Sequence, residues 1–288
     1  MKRIFMRYPG GRSRALTLSF DDGVQQDKRF IGLLRQYGLC STFNLNSGRF
    51  IPRSHTYPAG TVWRAMVDEE VRPTYTDPHC GIACHTAHHP TLLNASEAEI
   101  ADEILSDRIA LERLFGRPIT GLAIPNGPYN ETTIRIAKQC GITYIRSPRS
   151  SHSIAFPTEL CPFDPTASYR DPELPAIAEK FLHEPCIETP YLLYIWGHTY
   201  NFDEHEGDWE RIEQLMQTLS GHDTVWYAPD EQIFAYAAKF DRLEKSADGH
   251  RLYNPTDIPL WLSFGGPTVW DKTPETILSI APGEELVV

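Results

Sequence analysis

The stretch Ala15-Leu16-Thr17-Leu18-Ser19-Phe20-Asp21-Asp22-Gly23 carries the strongest signal for both fold and function in this chain. Its first six residues form a largely apolar run of the length that is typical of a buried β-strand. Two carboxylates and a glycine follow where the strand ends, and such residues are unfavourable in a hydrophobic core. The stretch therefore predicts a buried strand that delivers Asp21 and Asp22 to a functional site.

The rest of the chain alternates short apolar segments with longer segments of helical periodicity. The pattern predicts strands at residues 15–20, 41–46, 81–84, 121–125, 142–145, 191–196 and 225–227. It predicts helices at residues 25–37, 62–66, 96–115, 130–139, 172–182, 206–219 and 230–243. This alternation predicts an α/β fold with a parallel sheet, and its repetition favours a closed or nearly closed (β/α) barrel over an open doubly wound sheet.

The C-terminal part of the chain differs from the rest. From about residue 247, short β-rich pieces alternate with proline and glycine turns, at residues 250–253, 259–264, 268–270, 276–280 and 285–288. About 40 residues are too few for a stable domain on their own. We therefore expect a barrel at residues 1–246 and a small β appendage at residues 247–288 that packs on it.

Composition argues against several classes of protein. The 288 residues carry a formal net charge of −11, which disfavours nucleic acid and anionic membranes as partners. The six cysteines are too sparse for a disulfide scaffold, and no apolar run approaches the roughly 18 residues of a membrane-spanning helix. These features predict a cytoplasmic protein with reduced thiols. An exported protein without its signal segment is the alternative, and the oligomeric state stays open.

The histidine-rich segment His85-Thr86-Ala87-His88-His89-Pro90 supplies imidazoles at metal-ligand spacing. His85 and His89 are four residues apart, so on a helical turn both would face the same ion. One aspartate and two neutral imidazoles can hold a divalent metal and leave coordination positions for water, as in catalytic sites. A second aspartate is then free to act as a base.

A structural zinc site formed by Cys80, Cys84, His85 and His89 is the rival interpretation. The segment is too compact for four ligands to surround one ion, so Cys84 is better interpreted as a small buried hydrophobe. On a helical turn His88 would face away from His89, and it is interpreted as a rim or structural residue.

Four predicted strands end in polar or glycine residues. Asp21-Asp22, His85, Asn126-Gly127 and Gly197-His198 each follow a different strand. Active sites of (β/α) barrels form at the C-terminal ends of the strands. We therefore expect these residues to meet at one mouth of the barrel.

These motifs resemble the polysaccharide deacetylase family, also called the NodB-homology domain or carbohydrate esterase family 4. The resemblance rests on Ser19-Phe20-Asp21-Asp22-Gly23, on His85-Thr86-x-x-His89-Pro90 and on Gly197-His198, and it covers about residues 14–240. It implies a distorted (β/α) barrel that removes N- or O-acetyl groups from a sugar, oligosaccharide or polysaccharide. It also implies a divalent metal, zinc above all, with Co²⁺, Ni²⁺ and Mn²⁺ as other candidates.

The resemblance further implies a role for each matched residue. Asp21 matches the general base and His198 the general acid, and the backbone N–H of Asn126 matches the oxyanion donor. The implied metal ligands are Asp22, His85 and His89.

Two features of the family have no clean match in this chain. The third family motif reads Arg-x-Pro-x-Gly, whereas this chain has Ala123-Ile124-Pro125-Asn126-Gly127. The arginine that would pair with the catalytic aspartate is therefore expected to be missing. The aspartate that tunes the acid histidine has Asp164 as its nearest candidate, without the tryptophan that often follows it.

Three functions follow from this pattern. The leading hypothesis is a deacetylase of N-acetylated carbohydrates. A metal-dependent amidohydrolase of a non-sugar linear or cyclic amide is the alternative that the missing arginine permits. A non-catalytic carbohydrate-binding protein is disfavoured because the catalytic set is complete. Four aromatic residues are candidates for stacking on a sugar ring, with core packing as the other interpretation: Trp63, Tyr129, Trp196 and Tyr200.

Overall fold

The computed structural model describes residues 3–265 and 276–287 of the chain. The helices within these residues are α1 (Asp27–Tyr37), α2 (Asp68–Tyr75), α3 (Glu97–Phe115), α4 (Glu131–Gln139), α5 (Leu174–His183), α6 (Asp208–Leu219) and α7 (Asp230–Phe240). The strands are β1 (Arg3–Arg7), β2 (Arg14–Asp21), β3 (Ser41–Leu45), β4 (Cys80–Cys84), β5 (Gly121–Ala123), β6 (Tyr144–Arg146), β7 (Ala167–Ser168), β8 (Tyr191–Gly197), β9 (Val225–Tyr227), β10 (Glu244–Lys245), β11 (Arg251–Tyr253), β12 (Leu260–Gly265), β13 (Thr276–Ile280) and β14 (Glu285–Val287). None of the described helices is long and apolar enough to cross a membrane.

The main sheet is parallel throughout, as the sequence predicts. Its strand order is β6-β5-β4-β3-β2-β8-β7, and β9 pairs with the first residues of β2. The segment before β7 links the two edges, because Phe163 N donates to Ile145 O at 2.9 Å and Thr166 N donates to Tyr194 O at 3.0 Å. The sheet is thus curled into a distorted (β/α) barrel, which confirms the expected fold class.

Strand β2 lies at the centre of the sheet and is buried along its whole length. Its Phe20 contacts Phe30 of α1 with ring centroids 4.3 Å apart, and Phe30 meets Phe43 of β3 at 6.3 Å. Burial of such large apolar side chains supplies most of the driving force for folding. The centre of the sheet therefore fixes the position of the residues that follow β2.

The helix predicted at residues 62–66 is wrong. This segment is extended: Ala65 forms a bridge with Val24, and Met66 N donates to Gly23 O at 2.9 Å. Those tertiary hydrogen bonds satisfy backbone groups that a helix would pair internally. The helix forms instead at α2, whose first turn carries three acidic residues that favour the helix N-terminus.

The C-terminal residues form two antiparallel three-stranded sheets, β1-β12-β13 and β10-β11-β14. Strand β1, which the sequence pattern does not predict, pairs with β12 from Arg3↔Gly265 to Arg7↔Trp261. The strand predicted at residues 268–270 lies outside the described residues. The domain boundary at residue 247 stays a prediction.

The appendage shares a hydrophobic core with one end of the barrel. Leu252, Leu260 and Leu262 pack in one cluster with Tyr144 and Leu192, which lie at the first residues of their barrel strands. The appendage therefore covers the N-terminal ends of the barrel strands. The C-terminal ends, where Asp21 lies, face the other way.

Candidate active site

The polar strand ends identified in the sequence converge at one mouth of the barrel. Asp21 is the last residue of β2, His85 directly follows β4, and His198 directly follows β8. Because the strands are parallel, their C-terminal ends lie at the same end of the barrel.

A sharp backbone turn allows two adjacent aspartates to serve one site. Neighbouring residues of a strand point to opposite faces. Here the strand ends at Asp21, and both Asp22 (φ 82°) and Gly23 (φ 64°) adopt the left-handed conformation. This conformation is unfavourable for a residue with a side chain, by roughly 1–3 kcal/mol. Its presence at Asp22 means that the surrounding structure holds the carboxylate in place, and Asp22 N donates to Asn44 O at 3.0 Å.

The two histidines meet through a loop and not through the helical turn that their spacing suggested. Thr86 (φ 63°) and His89 (φ 64°) are both left-handed, and His89 N donates to Thr86 Oγ1 at 3.1 Å. This loop brings the rings of His85 and His89 to a centroid distance of 4.7 Å. His88 turns away, and its Nδ1 lies 2.9 Å from Glu103 Oε1.

Asp22, His85 and His89 offer three ligand atoms within 4.8 Å of one another. Asp22 Oδ1 lies 3.4 Å from His89 Nε2 and 3.8 Å from His85 Nε2. This oxygen is buried and has no hydrogen-bond partner, which is costly for a carboxylate. Its other oxygen accepts a hydrogen bond from Trp63 Nε1 at 3.2 Å. A divalent cation between these atoms would satisfy the orphaned oxygen, so the site fits a metal.

The histidines are in the neutral form that metal binding requires. Burial lowers the pKa of His85 to about 4 and also lowers the pKa of His89. His85 Nδ1 donates to Ala123 O at 2.8 Å, which leaves Nε2 as the free ligand atom. The rival zinc site does not form, because Cys80 and Cys84 lie in the hydrophobic core.

The arginine that was expected to be missing is supplied by the neighbouring strand. Arg146 of β6 lies opposite Ala123 of β5 in the parallel register. Its Nη2 is 2.6 Å from Asp21 Oδ2 and 2.7 Å from Asp21 Oδ1, and both side chains are buried. Asn44 Nδ2 donates to Asp21 Oδ1 at 2.7 Å. Asp21 therefore has a fixed, charged partner despite the alanine in the motif.

Asp21 is held in its ionised form. Burial alone would raise its pKa, but the buried Arg146 guanidinium above all, together with the hydrogen bond from Asn44, lowers the pKa to about 2. His198 Nε2 lies 3.7 Å from Asp21 Oδ2, and the ring is half-buried. A carboxylate and an imidazole thus stand side by side at the mouth.

Asn126 lies on the loop after β5, with a left-handed backbone (φ 58°) and an exposed side chain. Its Nδ2 donates to His89 O at 3.2 Å, which ties this loop to the metal-ligand loop. Its backbone N–H donates no hydrogen bond within the described residues. That N–H is therefore available to a bound ligand.

Comparison with known proteins finds a family match for just under half of the chain. Residues 8–145 match the family model described as polysaccharide deacetylase. This part of the chain thus resembles the polysaccharide deacetylase family. The resemblance predicted from the sequence is confirmed. The proposed ligands Asp22, His85 and His89 lie inside the matched segment, whereas Arg146 and His198 lie beyond it.

A curated relative of this chain is an uncharacterized protein of Streptomyces coelicolor. The two are 31% identical over 126 residues, which cover 44% of this chain and 45% of the relative. The chain thus matches less than half the length of that relative.

Three solved structures of similar proteins come from Streptomyces and Bacillus. A family 4 carbohydrate esterase from Streptomyces lividans in complex with acetate is 18% identical, with a TM-score of 0.47 over 74% of this chain and 90% of that chain. A mutant of the peptidoglycan deacetylase PdaC from Bacillus subtilis is 13% identical, with a TM-score of 0.49 over 79% and 93% of the two chains. A pseudoenzyme of the same esterase family from Bacillus anthracis is 15% identical, with a TM-score of 0.46 over 79% and 67%.

Asp164, the nearest match to the family's tuning aspartate, does not contact His198 among the described residues. Its carboxylate accepts a hydrogen bond from Ser147 Oγ and lies 3.5 Å from Arg149 Nε. Arg149 in turn lies over the ring of Tyr129 at 5.4 Å. Asp164 therefore belongs to a surface cluster beside the site.

The other aromatic candidates border the site. Trp63 contacts Asp22, Trp196 lies 4.9 Å from the Arg146 guanidinium, and the ring of Tyr200 is 5.2 Å from that of His198. All three are half-buried.

Sequence reasoning missed three residues that support the candidate site. Arg146 and Asn44 contact Asp21, and Asp107 of α3 accepts hydrogen bonds from Ser47 N at 2.8 Å and His85 N at 3.0 Å. Each is a buried polar residue. Asp107 shares the buried face of its helix, which is the signal that could have found it.

Proposed function

We propose that this chain is a metal-dependent hydrolase that removes acetyl groups from a carbohydrate. The observation that carries the proposal is the buried, unpartnered Oδ1 of Asp22 between His85 and His89, next to an ionised Asp21. The family match of residues 8–145 supports the reaction type. The substrate and the metal, with zinc as first candidate, are part of the proposal.

Asp22, His85 and His89 would hold the metal. When bound, a divalent ion supplies a Lewis acid that acidifies water and withdraws electrons from an acyl carbonyl. Trp63 and the hydrogen bond between His85 and Ala123 O orient two of the ligands before any ion arrives.

Asp21 would act as the general base. Its carboxylate stays ionised at neutral pH, and Arg146 and Asn44 fix its orientation, so it is ready to accept a proton from the attacking water. A base must hold a defined geometry to be effective, and the contact of Arg146 Nη2 with both carboxylate oxygens supplies that constraint.

His198 would donate a proton to the departing nitrogen or oxygen. Its Nε2 lies 3.7 Å from Asp21 Oδ2, so base and acid lie on the same side of the mouth. The free backbone N–H of Asn126 would donate to the oxyanion that forms on the acyl oxygen, a contribution typically worth about 3 kcal/mol.

Acetate release from N-acetylglucosamine oligomers tests the proposal. We expect release by the wild-type protein with zinc, loss with a chelator, and loss in Asp21→Asn. Asp223→Asn is the matched control, because Asp223 is an exposed carboxylate near the opposite end of the barrel and should keep full activity. Release that a chelator does not affect would exclude the metal mechanism. No release from any acetylated carbohydrate, despite tight metal binding, would exclude the sugar as substrate.

A further inference from the structure

Arg49 is a cation beside the proposed metal ligands, and the carboxylate nearest to it is that of the proposed ligand Asp22. It lies on the loop between β3 and α2, and its guanidinium stacks on the ring of Trp63 at 4.4 Å. Trp63 is in turn fixed by its hydrogen bond to Asp22 Oδ2. The orientation of Arg49 is therefore set by the same indole that orients the proposed metal ligand.

The guanidinium makes no hydrogen bond to any residue in the described ranges 3–265 and 276–287, although only 30% of its side chain is exposed. Its nearest carboxylate oxygen is Asp22 Oδ1, 3.9 Å from Nη1. Two other arginines of the same loop have separate acidic partners: Arg53 lies 3.7 Å from Glu70, and Arg64 lies 3.1 Å from Asp203. Arg49 alone among these three faces the site.

The charge of the site explains why this arrangement matters. Asp21 and Asp22 carry two negative charges. Arg146 carries a positive charge 2.6 Å from Asp21, and Arg49 carries another 3.9 Å from Asp22. A divalent cation bound to Asp22 Oδ1 would take up the carboxylate oxygen that is nearest to Arg49. Arg49 would then be a stacked, partly desolvated cation beside a second cation, which favours an anion from outside the protein.

We propose that Arg49 binds a carboxylate of the substrate, so that the preferred substrate is an amide with a carboxylate close to the bond that is cleaved. The planar, five-donor guanidinium matches a carboxylate in a bidentate arrangement, and its rigid stacking keeps those donors directed at the mouth. This proposal rests on the hydrolytic site of the proposed function. The carboxylate can belong to the amine-bearing group of an acetylated substrate, or to the acyl group, in which case the group removed is a carboxylated acyl group in place of acetyl. Both share the same chemistry toward Arg49.

Two matched pairs of compounds test the inference with the zinc-loaded protein. On the acyl side, N-succinylglucosamine is compared with its terminal carboxamide; on the amine side, N-acetylmuramic acid is compared with its lactyl carboxamide. Each pair differs in charge but hardly in size. We expect a preference of at least about tenfold in kcat/KM for the carboxylate member of one pair.

Arg49→Gln should abolish that preference, Arg49→Lys should retain part of it, and Arg53→Gln should leave it unchanged. Arg53 is the matched control because it lies on the same loop and is paired with Glu70. Equal rates for both members of both pairs, or a preference that survives in Arg49→Gln, would overturn the proposal.

Calorimetric binding of the four compounds to zinc-loaded Asp21→Asn separates this inference from the proposed function. A carboxylate preference in binding that Arg49→Gln removes supports the role of Arg49 even where no compound is hydrolysed. Hydrolysis without any carboxylate preference in binding or turnover supports the enzyme activity and excludes the role of Arg49.

Discussion

Arg146 and Ala123 occupy opposite positions in the register of β6 and β5, and the guanidinium of Arg146 reaches 2.6 Å from the carboxylate of Asp21. The residue that pairs with the proposed base therefore comes from a different strand than the family motif suggests. A side chain on one strand can replace a side chain on its neighbour because both point to the same face of the sheet at paired positions. This relationship leads to the first prediction.

Arg146→Met should lower kcat/KM for acetate release by about a hundredfold or more, because Asp21 loses the partner that orients and ionises it. It should also lower the free energy of unfolding by roughly 3–5 kcal/mol, since a buried carboxylate is left unpaired. Steady-state kinetics and chemical denaturation measure the two effects. Arg149→Met is the control, because Arg149 is exposed and pairs with Asp164.

The swap Ala123→Arg/Arg146→Ala should recover part of the activity that Arg146→Ala loses. Activity of the swap that is no higher than that of Arg146→Ala would contradict the equivalence of the two positions.

Trp63→Phe should weaken zinc binding about tenfold, because the indole N–H that orients Asp22 is lost while the ring remains. Competition calorimetry with a chelator of known affinity measures the change. Trp226→Phe is the matched control, since Trp226 lies 5.7 Å from Tyr8 in the cluster at the appendage end of the barrel. An unchanged zinc affinity in Trp63→Phe would show that the hydrogen bond has no part in metal binding.

Asp107→Asn should loosen the two loops that carry Ser47 and His85. A carboxylate accepts both backbone N–H groups, whereas an asparagine amide can accept only one of them. We expect a loss of about 1–3 kcal/mol of stability together with weaker zinc binding. Asp102→Asn, an exposed position on the same helix, is the control. Unchanged denaturation and zinc binding in Asp107→Asn would refute the role assigned to this carboxylate.

Asp27 should make the stability depend on pH. Burial raises its pKa to about 7 against hydrogen bonds from Thr199, Tyr75 and Val24 N that lower it. The unfolded chain loses this proton near pH 4 and the folded chain near pH 7, so rising pH between these values favours the unfolded state. The contribution of Asp27 to the free energy of unfolding is therefore fully present below about pH 4 and lost by about pH 7. This contribution is roughly 4 kcal/mol at most.

The difference in unfolding free energy between wild type and Asp27→Asn measures this contribution. We expect the wild type to lose stability relative to the variant as pH rises from about 4 to about 7. Asp223→Asn should show no such trend. A difference that is constant with pH, or of opposite sign, would mean that Asp27 is ionised throughout.

The five proposed reacting and metal-binding side chains could be found from sequence because topology forces them together. Asp21, His85 and His198 end parallel strands, and parallel strands of a barrel end at one mouth whatever their loops do. Asp22 and His89 follow within a few residues of those ends. Their types and positions, taken with the alternation of strands and helices, were enough to place them at one site.

Arg146 could not be predicted, because its role depends on register. Moving β6 by one residue against β5 would turn its side chain to the other face of the sheet, and no pattern within a three-residue strand fixes that choice. The helix expected at residues 62–66 failed for a related reason, since partners distant in sequence satisfied the backbone there. Long-range pairing, and not local propensity, decided both cases.

The pairing of β1 with β12 determines the order in which the parts of this chain can fold during synthesis. Arg3 pairs with Gly265, so the first strand has no partner until the whole barrel and most of β12 have been synthesised. Contacts of such long sequence separation slow folding. In a ribosome-bound chain stalled before β12, the C-terminal ends of the barrel strands, with the proposed metal ligands, should therefore already be formed. The N-terminal ends would still be uncovered. The last step of folding would cover these ends, which lie farthest from the candidate active site.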